Sequence, residues 1–145
     1  MFKHILVPTD GSPLSEAAVD HAIEFARSIG AKVTGLHVIP SFRTFTYHAE
    51  MLEDTREKFE KDSKAHAVQF LSKIERAARD AGVEYRIMFV TNDHPYQAII
   101  ETARETGCDV IAMASHGRKG VQGMLMGSET QKVLTHSEIP VLVYR

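Results

Sequence analysis

Three segments of the chain repeat one order of patterns: a helix-spaced apolar stripe, then a glycine, then an apolar run of strand length. The separating glycines are Gly30, Gly82 and Gly107. Glycine is common just past the end of a helix because it adopts left-handed backbone at little cost. Helices that alternate with apolar strands are typical of a parallel sheet covered on both faces. The repeat therefore predicts an α/β fold.

The patterns predict five strands with helices between them. The strands are expected at 3–7, 32–39, 84–90, 109–113 and 139–144. The helices are expected after the Ser12 cap, over 55–81, after a cap from Asp93 or His94, and from about Ser128. Their buried positions are expected to be Leu14, Ala18, Ala22, Phe25 and Ile29 in the first helix, and Phe59, Phe70, Ile74 and Ala78 in the longest.

Composition limits the class of protein. The 145 residues suffice for one domain, 1–145, with a core of its own. A net charge of −2, with basic residues scattered among acidic ones, argues against a nucleic-acid partner. We find neither a signal-peptide pattern nor a long apolar segment, so we expect a cytoplasmic protein with no membrane partner. Cys108 is the single cysteine and is expected to be buried, and the histidine spacing predicts no transition-metal site.

A glycine-rich segment, MASHGRKGVQGMLMGSET, covers 113–130 between the fourth strand and the last helix. Without Cβ atoms, backbone amides approach an anion closely, and a helix start adds unpaired N–H groups and the positive end of its dipole. The segment therefore predicts a phosphate-binding loop for a polyphosphate. Its spacing is neither the P-loop pattern, because no lysine separates Gly127 from Ser128, nor GxGxxG.

The strand order decides what lies beside this loop. In a doubly wound sheet the ligand binds at the carboxyl ends of the strands, where the winding reverses. In an open, five-stranded, Rossmann-like parallel sheet of order 3-2-1-4-5, that point lies between strands one and four. There the glycine-rich loop would meet the Pro-Thr-Asp-Gly-Ser segment at 8–12.

These motifs resemble the universal stress protein family. Gly117, nine further residues, then Gly127 and Ser128 are similar to the family's nucleotide signature, with Ala114 where its first glycine stands. The segments at 8–12, 36–39 and 139–143 resemble the family too, so the resemblance spans the chain. It implies an ATP-binding protein, with Mg²⁺ or Mn²⁺ held mainly by phosphate oxygens.

The resemblance also implies the site. Thr9 and Asp10 would border the ribose and base, and the Val38 backbone would read the adenine edge. The residues around Gly117 and Gly127 would line the phosphates. The predicted nucleotide-binding residues are Pro8, Thr9, Asp10, Val38, Met113, Ala114, His116, Gly117, Gly127, Ser128, Glu129 and Thr130.

Several of these residues also have a structural interpretation. Asp10 in a TDGS turn is typical of an Asx turn or a helix cap. Ser128 is typical of a cap on the last helix, and His116 of an exposed surface position. Arg118 and Lys119 are expected to be solvated loop charges, with screening of a γ-phosphate as the alternative.

The favoured function is that of an ATP-dependent stress-response regulator with an unknown protein partner. Asp10 and His116 are the nearby groups that could orient water, and neither has an evident helper, so hydrolysis is expected to be slow or absent. One alternative is a family member that has lost ATP and acts through protein contacts, motivated by Ala114. A less favoured one is an adenine-nucleotide α-hydrolase-like enzyme, whose HxGH and SGGxDS motifs are missing from the sequence.

Two surfaces suggest contacts beyond the nucleotide. The last strand, with Val141, Leu142 and Val143, is apolar and would lie at a sheet edge, where exposed strands invite pairing. Universal stress proteins commonly dimerise there, so the resemblance implies a homodimer. The long connection at 40–54 is interpreted as a cover over the nucleotide, or equally as a partner contact or a disordered segment.

Overall fold

The computed structural model describes residues 1–41, 53–117 and 126–145. The predictions for the 40–54 connection therefore lie almost wholly outside the described residues, as do those for Arg118 and Lys119. The strands are β1 His4–Pro8, β2 Lys32–Ile39, β3 Tyr85–Thr91, β4 Val110–Ala114 and β5 Val141–Tyr144. The helices among the described residues are α1 Pro13–Ile29, α2 Glu53–Ala81, α3 Pro95–Thr106 and α4 Ser128–His136.

All five strands pair in parallel in the order β3-β2-β1-β4-β5, which confirms the predicted sheet. β1 lies in the middle, with Ile5 opposite Val33 of β2 on one side and Val110 of β4 on the other. The winding reverses between β1 and β4. The carboxyl ends of these two strands therefore diverge into separate loops at the place where a ligand is expected.

Apolar side chains project from both faces of the sheet, as predicted. Ile5 and Val7 face α1 and α2 and pack with residues such as Val19 and Ile74. Leu6, between them, faces α3 and α4 and packs in the other layer, whose buried members include Leu36, Ile99, Ile111 and Val133. Alternation along one strand thus fills two core layers.

The glycine helix ends are confirmed. Gly30 and Gly107 follow α1 and α3 with φ of 70° and 73°, and each amide donates to a helix carbonyl. Gly82 after α2 also has φ of 70°. At the start of α1, Ser12 accepts from the Ser15 amide at 3.2 Å, which confirms that cap.

The predicted cap of α3 is only half right. His94 is the N-cap residue, but its side chain makes no capping bond. Asp93 instead accepts from the Ser41 amide at 3.2 Å. The amide of Tyr96 in the first turn donates to Glu129 Oε2 of α4 at 3.0 Å, so a neighbouring helix provides the cap. Local sequence holds no signal for such a long-range bond.

The buried stripe of α1 is shifted from its predicted position. Ala18 and Ala22 are buried as expected, whereas Leu14, Phe25 and Ile29 are only half-buried at the margins. The centre is made of small and β-branched residues. The buried positions are Ser15, Ala18, Val19, Ala22, Ile23 and Ala26. Ser15 is buried because its hydroxyl donates to Thr9 Oγ1 at 3.1 Å, a bond that apolar periodicity cannot predict.

Candidate functional site

A cavity of about 710 Å³ opens at the carboxyl edge of the sheet, in the size range of small-molecule sites. Its walls come from the ends of β1, β2 and β4, from α2, and from the starts of α3 and α4. All twelve residues that the sequence analysis assigned to the site line this cavity. Segments far apart in the chain therefore converge on one space.

The β1–α1 loop forms one wall and is fixed by hydrogen bonds. Thr9 is buried, its amide donates to the Leu36 carbonyl at 2.8 Å, and its hydroxyl accepts from the Gly11 amide at 3.2 Å. Asp10 Oδ1 accepts from the Ser12 amide at 3.0 Å. The Asx-turn interpretation of Asp10 is thus confirmed. The turn also fixes the Asp10 carboxylate at the cavity wall.

The two motif glycines are needed for close approach. Among the described glycines, left-handed φ values occur only at Gly11, Gly30, Gly82 and Gly107. At Gly127 a Cβ would lie 3.2 Å from the Ser115 carbonyl oxygen, and at Gly117 it would overlap Asp10 Oδ2. Steric space, and not φ, therefore explains glycine at both motif positions.

Ala114 occupies the position where the family signature has its first glycine. No described non-glycine residue has a positive φ, so Ala114 adopts ordinary backbone. It is the last residue of β4, it is buried, and its carbonyl accepts from Thr130 Oγ1 at 3.0 Å. Alanine therefore fits this position without backbone strain.

The N-terminus of α4 opens on the cavity. Gly127 is the N-cap residue of α4 and, as a glycine, has no side chain that could cap the helix. The Gly127 amide donates to the Ser115 carbonyl at 2.6 Å. The prediction that Ser128 caps this helix is wrong, because Ser128 is already its first residue. The first-turn amides and the positive end of the helix dipole thus face the cavity at a place where anions bind readily.

Three imidazoles and three carboxylates line the cavity. His116 is half-buried, not fully exposed, and its Nδ1 lies 2.9 Å from Ser115 Oγ. The Glu129 carboxylate accepts from the Tyr96 backbone amide at 3.0 Å and from Lys132 Nζ at 3.3 Å, so both of its oxygens are engaged within the fold. The six groups are Asp10, His37, Asp62, His66, His116 and Glu129. Over the described part of the chain, no three His, Cys, Asp or Glu side chains are placed to hold a metal ion.

Sequence reasoning missed the wall made by α2. Phe59 and Phe70 were predicted to lie in the core, but both are half-buried and line the cavity, together with Asp62, Ser63 and His66. The spacing of these five residues places them on one helix face. That spacing was visible in the sequence, yet only the structure shows that α2 extends past the edge of the sheet. Ile74 and Ala78, further along α2, are buried as predicted.

Aromatic rings tie the α2 wall to the sheet. His37 is buried and its Nδ1 donates to the Thr9 carbonyl at 2.8 Å. The Phe70 ring meets His37 edge-on, with centroids 5.1 Å apart, and stacks with His66 at 6.0 Å and an interplanar angle of 15°. Gly11, with φ of 77°, has no room for a Cβ beneath the Phe70 ring.

A separate polar network lies at the opposite, amino-terminal edge of the sheet. His4 is buried, with Nε2 2.7 Å from Thr34 Oγ1, and its amide donates to the Asp109 carboxylate at 3.1 Å. Burial, aided by the positive charge of Lys32, lowers the pKa of His4. Cys108 is buried as predicted, and burial raises the pKa of its thiol. The network is far from the cavity, and these groups are engaged with one another.

Within the described ranges, no helix combines the length and the apolar character needed to cross a bilayer.

Comparison with known proteins identifies relatives along the whole chain. A family model described as the universal stress protein family matches residues 1–145. The universal stress protein YxiE of Bacillus subtilis is 29% identical over 149 residues, with complete coverage of both chains. The universal stress protein MJ0577 of Methanocaldococcus jannaschii is 30% identical over 156 residues, covering 100% of this chain and 96% of that protein.

Solved structures agree with the fold. The structure of MJ0577 superposes with a TM-score of 0.83, covering 99% of this chain and 95% of that one. A universal stress protein in complex with cAMP is 26% identical, with a TM-score of 0.72 and coverage of 99% and 97%. In that relative the bound ligand is an adenine nucleotide.

Proposed function

The chain belongs to the universal stress protein family, and we propose that it binds ATP in the cavity at the carboxyl edge of its sheet. The proposal rests on one observation: three features suited to a nucleotide line the same cavity. A helix N-terminus whose N-cap residue is a glycine, two glycines at which a Cβ would crowd neighbouring atoms, and the fixed Asp10 carboxylate all border the same cavity. A relative solved with cAMP supports an adenine nucleotide as the ligand class.

The phosphates are proposed to lie at the first-turn amides of α4 and beside Gly117. These N–H groups suit an anion, because they need acceptors and lie at the positive end of the helix. Asp10 then borders the ribose, and the backbone at Val38 reads the adenine edge. Mg²⁺ or Mn²⁺ is proposed to be held mainly by phosphate oxygens, as hard cations commonly are.

We propose a binding protein with slow or absent hydrolysis. A general base needs a free acceptor within reach of the attacking water. Asp10 Oδ1 already accepts from the Ser12 amide, and His116 Nδ1 lies 2.9 Å from Ser115 Oγ. At each residue one candidate acceptor atom is thus already engaged within the fold. The proposed role is therefore a nucleotide-dependent regulator of a stress response, in the cytoplasm and with a protein partner.

The nucleotide-free alternative rests on Ala114 in place of glycine. Since Ala114 has ordinary backbone and its side chain is accommodated at the end of β4, the substitution gives little reason to expect loss of ATP. We therefore favour the nucleotide-binding function over the alternative that depends on protein contacts alone.

A homodimer through β5 is also proposed. β5 pairs with β4 on one side only, at the edge of the sheet, and its four residues Val141–Tyr144 are half-buried. A second copy would pair the open edge and cover apolar side chains that the single chain leaves partly exposed.

The proposed function is tested by the ligand itself. Purified protein is denatured and the released small molecules are identified by mass spectrometry; the emptied protein is then titrated with ATP and Mg²⁺ by calorimetry. Co-purified ATP or binding in the micromolar range is expected. Failure to bind at millimolar ATP would overturn the proposal. A parallel titration with cAMP shows whether the triphosphate is needed.

A further inference from the structure

We infer that His66 on α2 is a stacking platform for the base of the bound nucleotide. The inference rests on the proposed function and adds a residue that determines which part of the ligand is recognised there. The two ends of the cavity differ in their chemistry. The features suited to phosphate, Gly117 and the α4 N-terminus, follow β4 or lie beside its end, while α2 packs against β2 and β3.

The distance between these ends suits a nucleotide. β2 and β4 flank β1, so their ends are separated by two strand spacings, roughly 10 Å. A nucleoside polyphosphate whose phosphates lie at α4 therefore extends its base across β1 toward β2 and the α2 wall. At this end the wall is largely apolar and aromatic, with Phe59 and Phe70 on the helix and Ile39 and Pro40 at the strand end. Asp62 and Ser63 are its polar members.

His66 is placed to meet a flat ring. It lies one helical turn before Phe70, on the same face of α2, and therefore roughly 6 Å further out beyond the sheet edge. Phe70, braced by Gly11 and His37, stacks with the His66 imidazole and orients it. His66 remains exposed while it lines the cavity. A planar ring held by a packed neighbour at the edge of an open cavity is suited to stacking on a base.

The chemistry of this wall favours the base over the phosphates. Phosphate binds to N–H donors, which the α4 end provides in number, whereas aromatic faces bind the π surface of a base. The sequence of rings Phe59, His66 and Phe70 along one helix face offers such surfaces. His66 is the member that is exposed and does not serve the core, so its removal should cost affinity and not fold.

The test separates base from phosphate. Wild type, His66→Ala and His66→Phe are each titrated with Mg·ATP and with inorganic tripolyphosphate, the latter by competition with a fluorescent ATP analogue. His66→Ala is expected to bind ATP about tenfold more weakly, the usual cost of one lost stacking partner, with unchanged affinity for tripolyphosphate. His66→Phe, which keeps a flat ring, should bind ATP nearly as wild type does.

The control is Val68→Ala on the same helix, because Val68 is 64% exposed and does not line the cavity. Wild-type ATP affinity in His66→Ala would overturn the inference. An equal loss for tripolyphosphate would show a phosphate contact instead, and a His66→Phe variant as weak as His66→Ala would show hydrogen bonding; either result overturns stacking. Absence of ATP binding by wild type would overturn the proposed function, and this inference with it.

Discussion

The Asp10 carboxylate occupies the space that a side chain at position 117 would need, so that a Cβ on Gly117 would overlap Asp10 Oδ2. One residue follows β1 and the other follows β4. The two loops are therefore fitted to each other across the point where the winding of the sheet reverses, and the same contact lies in the wall of the cavity.

Gly117→Ala should displace the Asp10 carboxylate and weaken ATP binding about tenfold, the size of one charge-assisted hydrogen bond. In an Asp10→Ala background the same substitution should cost almost nothing more, because its target is gone. Calorimetric titration of the wild type, both single variants and the double variant measures this coupling. Fully additive losses would show that Gly117 acts on the ligand independently of Asp10.

The structural role of Asp10 and its proposed ligand-binding role can be tested separately. Asp10→Asn keeps an oxygen that can accept from the Ser12 amide, so its stability should stay near wild type while ATP affinity falls several-fold. Asp10→Ala also removes the Asx turn and should lose about 1 kcal/mol in urea denaturation. Unchanged ATP affinity in both variants would leave Asp10 with the turn as its only role.

Gly127→Ala should loosen the junction between β4 and α4. The new Cβ would lie 3.2 Å from the Ser115 carbonyl oxygen and 3.3 Å from the His116 Cα, both backbone atoms that cannot rotate aside. We expect a loss of about 1–2 kcal/mol in the free energy of unfolding, together with weaker ATP binding. Urea denaturation and titration measure the two effects. Wild-type stability would mean that the α4 start shifts freely.

Stability should fall as the pH drops from 6.5 toward 5. Burial lowers the pKa of His4 in the fold, whereas in the unfolded chain it titrates near 6.5. Between these two pKa values the unfolded chain binds more protons than the native state, so the free energy of unfolding rises with pH. Urea denaturation from pH 5 to 8 measures the slope.

His4→Gln is the comparison for this pH dependence. Its amide can still bond to Thr34 but does not titrate, so the slope between pH 5 and 6.5 should become smaller. Although burial alone would raise the pKa of Asp109, amides of Lys3 and His4 donate to it and lower that pKa. The stabilisation from Asp109 is therefore lost only at more acidic pH. An identical slope in His4→Gln would assign the effect to other groups.

Val143→Lys should convert the proposed dimer to a monomer of one 16.2 kDa chain. Leu142 and Tyr144 pack against one core layer and Val141 against the other, whereas Val143 belongs to neither layer. A charge at an edge strand opposes pairing. Light scattering measures the mass, and circular dichroism checks the fold. A wild-type mass of one chain at micromolar concentration would contradict the dimer itself.

The sheet and its order could be predicted because they depend on features that recur along the chain. Helix-ending glycines and alternating apolar segments are local signals. Four of the five predicted strands lie within one residue of their observed ends, and the fifth is predicted to begin two residues too early. The twelve site residues lie in the last positions of those strands, just after them, or at the start of the helix beyond the last loop. Their convergence on one cavity is a consequence of the topology.

The remaining features depend on long-range contacts. The cap of α3 by Glu129 joins residues on two helices, and Ser15 is buried because of a bond to Thr9. Predicting the α2 wall would have required knowing how far that helix extends past the edge of the sheet. Phe70, which periodicity assigns to the core, instead meets Gly11 and His66 at the cavity. Apolar spacing identifies a helix face but not what covers each turn of it.

The cavity wall is assembled from pieces of almost the entire sequence, from the end of β1 to the first turn of α4. No fragment of the chain contains enough of it to form the site alone. Any ligand that occupies the cavity therefore binds the complete fold and not the unfolded chain. At a ligand concentration of 100 times Kd, this coupling adds about 2.7 kcal/mol to the free energy of unfolding. In a cell, the lifetime of the protein against proteolysis would then vary with the supply of its ligand.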